Sequence, residues 1–362
     1  MKLFKCQNCG QLLYFENTHC ERCGHKLGFH STTMELLTLI PSDEQTFSNV
    51  LGGDQKFRYC ENARHNACNW LVEMSEESSF CQACRLNKTV PDLDNAEHVV
   101  RWIKLEIAKH RLVYTLLQLG LPVAEKTDES DDGLAFDFLA QDGNQKKVIM
   151  GHAGGLITIN LAEADEVQRV KTREQLGEPY RTLLGHFRHE TGHYYWDRLI
   201  KNDPDQLDAF RQVFGNEQAD YGLALKAYYK SGAPVNWQND FVSAYATAHP
   251  WEDWAETWAH YLHIMETLET AYSFGLRIDP VPVSRVEMLA AEYFSSPFSV
   301  KKFDRLIELW IPLTVAINSV NRSMGQPDFY PFIVSPNVIN KLSFVHSLMQ
   351  EIKSAKLNVA AH

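Results

Sequence analysis

Leu184-Gly185-His186-Phe187-Arg188-His189-Glu190-Thr191-Gly192-His193-Tyr194-Tyr195 contains a His-Glu-x-x-His motif. On a helix, residues four apart share a face, so His189 and His193 can turn two imidazoles toward one metal ion. Glu190 stands beside the first of them. It is placed to take a proton from a metal-activated water without being a ligand itself. Gly192 is costly here, since glycine weakens a helix by about 1 kcal/mol relative to alanine. Its presence makes sense if another segment must approach closely. Two histidines on one helix can also be unrelated, so the reading needs a third donor.

A catalytic zinc takes three protein ligands and keeps a fourth position open, which one helix does not easily supply. The segment His249-Pro250-Trp251-Glu252-Asp253-Trp254-Ala255-Glu256-Thr257-Trp258-Ala259-His260 reads as a second helix, with Pro250 suited to its first turn. Glu252 and Glu256 share one face, and Trp254 and Trp258 share another. His249, Asp253, His260 and His263 compete with Glu252 for the third position. Asp253 points about 100° away from Glu252 around the helix, so the two are not expected to serve together. Trp251, Trp254 and Trp258 read as core, and His186 as an outer or surface histidine.

His-Glu-x-x-His followed by Glu-x-x-x-Glu on a later helix resembles the gluzincin metallopeptidases. The metzincin pattern is not met, because Trp196 and Leu199 stand where it needs glycine and histidine. The gluzincin resemblance implies Glu252 as third ligand and Glu256 as the acceptor that orients a ligand imidazole. Tyr245 lies seven residues before Glu252, the offset of the catalytic tyrosine in lethal-factor-type members. That likeness implies a donor to the tetrahedral oxyanion or to the leaving amine. Over nearly its full length the chain also resembles a bacterial family that joins a zinc-ribbon module to a zinc-binding metallopeptidase domain. Cys6–Cys23, Cys60–Cys84, His189–Asp197 and His249–His263 carry that likeness. In zincins an extended peptide adds to a sheet edge. Leu156, Ile157 and Thr158 of the strand candidate Leu156–Asn160 are the expected edge, with an ordinary hairpin strand as the alternative.

All eight cysteines lie between Cys6 and Cys84. Cys6-Gln7-Asn8-Cys9-Gly10 and Cys20-Glu21-Arg22-Cys23-Gly24 are matching knuckles, and two such turns close a tetrahedral thiolate site. The glycine after each permits positive φ, so backbone N–H groups can face the sulfurs. A structural zinc is expected; a rubredoxin-like iron site is the competing reading. Cys60, Cys68, Cys81 and Cys84 form a second expected zinc site. Cys60 and Cys68 are more widely spaced, and His65 is a possible replacement for one of them. Four closed ligands leave no place for substrate, so both sites are expected to serve folding or a protein partner.

The cysteine boundary divides the chain into a zinc-ribbon module, residues 1–90, and a metallopeptidase domain, residues 91–362. In the second part a helix is expected after a cap at Asp94 or Asn95, ending by Gly120. A solvated acidic loop follows at Glu125–Asp132. A hairpin is read from Leu134–Leu139, a turn at Asp142-Gly143-Asn144 and Lys147–Met150. From Pro179 the pattern is mainly helical. The expected class is α+β: zinc ribbon, then a mainly helical zincin-like domain with a small antiparallel sheet.

With 35 Lys+Arg against 46 Asp+Glu the chain has a formal charge of −11, which disfavours broad capture of nucleic acid or anionic membrane. Residues 1–90 alone hold 9 basic against 10 acidic residues, so the ribbons have no basic footprint either. Apolar runs are too short to span a bilayer, the start of the sequence lacks an apolar signal core, and reduced cysteines fit a cytoplasmic setting. The leading expectation is a zinc-dependent, metalloendopeptidase-like hydrolase acting on a peptide or protein, with one catalytic and two structural zinc ions. A protein-binding ribbon scaffold with an inactive helical domain, and hydrolysis of a non-peptide amide or ester, are the alternatives.

Overall fold

The computed structural model describes residues 1–127, 132–140, 148, 150–176, 181–281 and 289–360. It divides into two compact units, Met1–Lys171 and Thr172–His362.

In the first unit β1 (Phe4–Lys5) and β2 (Leu12–Leu13) pair antiparallel around the first cysteine knuckle. Five antiparallel strands follow: β3 (Lys26–His30), β4 (Glu35–Pro41), β5 (Phe47–Asn49), β6 (Lys56–Tyr59) and β7 (Leu71–Glu73). The two ends of this sheet meet, because Phe29 on β3 bridges Trp70 and its N–H donates to Asn69 O over 2.9 Å. The enclosed aromatic residues Phe15, Phe29 and Trp70 pack edge-on or tilted. Tyr114 joins them at 5.2 Å from Phe15. It comes from α1 (Ala96–Gln118), which Asn95 caps by accepting from the N–H groups of Glu97 and His98. Gly120 ends the helix at φ +74°, so both ends fall where the sequence puts them.

The cysteine boundary lies inside this unit rather than at its edge, because β8 (Asn87–Thr89) pairs with β9 (Ala135–Leu139). The four-stranded sheet runs β10–β11–β9–β8, with β10 spanning Gly151–Ala153 and β11 Leu156–Asn160. It is mixed: β10 and β11 are antiparallel, whereas β11–β9 and β9–β8 are parallel. The expected turn at Asp142-Gly143-Asn144 lies outside the described residues, as do Lys147, Ile149, Pro179 and part of the acidic Glu125–Asp132 loop. The described hairpin is instead β10–β11. Gly154 and Gly155 join it at φ +53° and +84°, the left-handed pair that a two-residue turn requires.

This topology corrects the expected substrate edge. Leu156, Ile157 and Thr158 pair with Ala153, His152 and Gly151 on one side and with Ala135, Phe136 and Asp137 on the other. Their strand is interior, and its main-chain groups are already committed to two neighbours.

The second unit is mainly helical. After α2 (Glu166–Leu176), which crosses the unit boundary, come α3 (Leu183–Leu199), α4 (Pro204–Phe214), α5 (Tyr221–Ser231), α6 (Pro250–Ser273), α7 (Phe303–Ser323) and α8 (Pro336–Ala360). A two-stranded antiparallel ribbon, β12 (Arg277–Ile278) and β13 (Ala291–Glu292), follows α6. The class is α+β, sheet-rich at the N-terminal end and helical after it. Trp254, Trp258 and Trp310 are fully buried, each worth about 4–6 kcal/mol of apolar burial before entropy is counted. No described helix is long and apolar enough to cross a membrane.

Candidate metal centre

Two helices build the centre. Thr182 caps α3, accepting from Gly185 N–H, and His249 caps α6, accepting from Trp251 N–H. They cross at Gly192. A Cβ there would lie 2.9 Å from Ala255 Cα and 3.3 Å from both Ala255 O and Trp258 Cβ. Trp254 Nε1 donates to Gly192 O over 2.7 Å and ties the crossing. The glycine that weakens α3 as a helix is what lets α6 come this close.

The crossing brings His189, His193 and Glu252 together, one donor atom from each within 4.8 Å of the others. His189 Nε2 lies 3.0 Å and His193 Nε2 3.6 Å from the same oxygen, Glu252 Oε2. Apart from these two imidazoles that buried oxygen has no hydrogen-bond partner among the described residues, which a site shaped for a cation explains. Glu256, one turn along α6, holds His189 Nδ1 at 2.6 Å through Oε1, while its Oε2 accepts from Ser243 Oγ at 2.6 Å. The proton is thereby kept on Nδ1, and Nε2 presents its lone pair to the site. Two imidazole nitrogens and one carboxylate oxygen are a donor set that suits zinc.

Burial disfavours charge on all three acidic and basic partners, yet mutual attraction wins. Hydrogen bonds from His189 and His193 hold Glu252 well below the usual carboxylate range, and His189 holds Glu256 low. The two carboxylates in turn lift His189 well above the usual imidazole range.

The rival ligands are used elsewhere. His249 Nε2 donates to Ala219 O at 3.0 Å. Asp253 pairs with Lys341 Nζ at 2.7 Å. His260 Nδ1 meets the Tyr330 hydroxyl at 2.7 Å, and His263 meets Arg188.

Glu190 is buried on the same helix as the two histidines. Burial opposes its ionisation, but the His186 hydrogen bond and the charges of His189, His186 and His193 bring its pKa down to about 2. His186 Nε2 lies 3.3 Å from Glu190 Oε1, so this histidine supports Glu190 and not the metal. The Tyr245 ring sits 5.9 Å from the His189 ring and 5.6 Å from Tyr228. Trp254 and Trp258 are core, as their spacing suggests, whereas Trp251 lies over His193 at 4.2 Å between centroids.

The cysteines form two groups in the first unit, Cys6/Cys9/Cys20/Cys23 and Cys60/Cys68/Cys81/Cys84, each with sulfurs within 4.8 Å of one another. Gly10 and Gly24 follow their knuckles at φ +75° and +74°. Cys60 and Cys68 both join the second group. His65 does not; its Nε2 accepts from Arg64. All eight are free thiols rather than disulfides, and sets of four clustered cysteine sulfurs fit a zinc ion.

The family described as "Putative zinc-binding metallo-peptidase" matches residues 98–348, and a "zinc-ribbon domain" matches residues 3–95. The chain belongs to this zinc-binding metallo-peptidase family. Uncharacterized proteins of Mycobacterium tuberculosis and Mycobacterium bovis are 41% identical to it over 352 residues, covering 97% of this chain and 96% of theirs. No solved structure gives a significant match. The metallo-peptidase match begins inside α1, in the first compact unit, so the matched stretch includes residues of both units.

Sequence reasoning missed two residues of this candidate centre, Ser243, which donates to Glu256, and Tyr221. The Tyr221 hydroxyl donates to Glu252 Oε1 over 2.6 Å. Tyr221 is 31 residues from Glu252 with loops between, so no periodicity could pair them. The link between His186 and Glu190 was open to sequence, since the two stand four apart on one helix.

Proposed function

We propose that the protein is a zinc-dependent peptidase whose catalytic ion is held by His189, His193 and Glu252. The convergence of two imidazole nitrogens on one buried carboxylate oxygen that has no other partner among the described residues carries this reading. Family membership supports a hydrolase of this type. Zinc, when bound, supplies a Lewis acid that acidifies water and polarises a carbonyl.

The chain's own residues do the rest. Glu256 fixes the His189 tautomer, and Ser243 fixes Glu256. Glu190, held ionised, receives at a carboxylate oxygen the proton that water loses on attacking the scissile carbonyl, and later passes it to the leaving amine. His186 holds that carboxylate in place. Tyr245, beside the His189 ring, is assigned as a phenol donor to the developing oxyanion. The two cysteine groups are assigned structural zinc ions that serve folding and the docking of a protein partner, because four thiolates close the coordination shell.

Replacing Glu190 by Gln tests the reading. The variant should keep the same zinc content and lose cleavage of a peptide library read by mass spectrometry, with turnover falling at least about 100-fold. Turnover at the unsubstituted rate would remove Glu190 from the mechanism. A chain that binds only the two cysteine-held ions would remove the catalytic site altogether.

A further inference from the structure

The two oxygens of Glu252 face different partners. Oε2 faces His189 and His193, while Oε1 accepts from the Tyr221 hydroxyl. A carboxylate that could offer both oxygens to an ion would occupy the position a catalytic site must keep open.

The surroundings aim this phenol. Tyr221 is the first residue of α5, and Asp220 caps the helix by accepting from Leu223 N–H over 2.8 Å. The preceding Ala219 carbonyl accepts from His249 Nε2 at 3.0 Å, and His249 is itself the cap of α6. The start of α5 is therefore fastened to the turn that carries Glu252. The Tyr221 ring is also edge-on to His249 at 5.2 Å and to Trp251 at 5.8 Å. No residue of α5 is buried, so the Tyr221 hydroxyl has no evident part in a core.

We propose that Tyr221 is a positioning residue that restricts Glu252 to one metal-facing oxygen and so keeps a coordination position free for water and substrate. This rests on the zinc-site reading above. Tyr245 has no such role, because its ring lies beside His189 and Tyr228.

The test uses the full-length chain and Tyr221→Phe, which removes only the hydroxyl. A moderate chelator, dipicolinate, withdraws the exchangeable ion while the thiolate sites keep their spectroscopically silent zinc. Cobalt(II) then refills the exchangeable site. In Tyr221→Phe the cobalt d–d absorption should weaken, as bidentate Glu252 raises the coordination number, and zinc affinity should fall about ten-fold or more. Tyr245→Phe should leave the d–d spectrum unchanged. A Tyr221→Phe spectrum equal to that of the unsubstituted chain overturns the proposal, whether or not affinity falls. If the unsubstituted chain has no exchangeable ion, the zinc-site reading itself fails first, and the two failures are distinct.

Discussion

His189 is the residue on which the centre turns, since it faces an acid on each side: Glu252 at Nε2 and Glu256 at Nδ1. Against the cost of burial, these raise its pKa well above the ordinary value. In protein stripped of metal the ring is therefore protonated at neutral pH, and zinc must displace a proton. Apparent zinc affinity should rise about ten-fold per pH unit while the pH is below the raised pKa, and level off above it. Competition titrations with a chromophoric chelator across pH would show this; a flat profile near neutrality would contradict it. The raised pKa also stabilises the stripped fold fully below about pH 6.5. That contribution is lost as pH climbs through the folded value. Glu256→Ala removes the acceptor at Nδ1, and should weaken zinc binding about 10–100-fold while reducing the pH slope. Among the residues, His189 and His193 were legible because helical spacing puts them on one face, whereas Glu252 and Glu256 share a face by spacing but were picked out from rival donors by the gluzincin resemblance. Tyr221 was not legible, because its partner is reached through tertiary structure alone.

At the scale of elements, the crossing of α3 and α6 is set by one missing side chain. Gly192→Ala gains about 1 kcal/mol in helix propensity. It also places a methyl 2.9 Å from the backbone of Ala255, where the neighbour is not the tip of a flexible side chain. Overpacking of this kind costs roughly 1–3 kcal/mol, and it separates the helices that carry the ligands. The variant should melt earlier and hold the exchangeable zinc more weakly; equal melting and equal zinc affinity would show that the crossing tolerates a methyl. The first long helix was legible from the sequence through its cap Asn95, and α6 through Pro250 in its first turn; Asp203, Asp220 and His249 also accept from first-turn N–H groups but were not singled out from the sequence. The sheet was less so. Strands were found at 135–139 and 156–160, but an alternating pattern says which residues are extended and not which strand lies beside which. The parallel β9–β11 pairing makes Leu156–Thr158 interior, and no local signal in those residues announces it.

For the whole molecule, each of the two units is stabilised in its own way. The first unit has strands as short as two residues around its first knuckle pair, and its second cysteine group gathers segments after β6, before β7 and before β8. Small modules of this type owe much of their folding free energy to the ion, with apparent values of about 10–16 kcal/mol for a structural zinc. The second unit contains no cysteine and rests on buried aromatic residues such as Trp254, Trp258 and Trp310. Two classes of zinc should follow: one exchangeable ion whose removal leaves the fold intact, and two tightly held ions whose removal does not. Mild chelation should abolish cleavage with no change in far-UV circular dichroism. Stripping the thiolate-bound ions should expose residues 1–171 to limited proteolysis while a helical fragment from the second unit persists. Simultaneous loss of both units on mild chelation would mean that the ion at His189, His193 and Glu252 is itself structural. The division of labour between thiolate and imidazole sites would then be wrong.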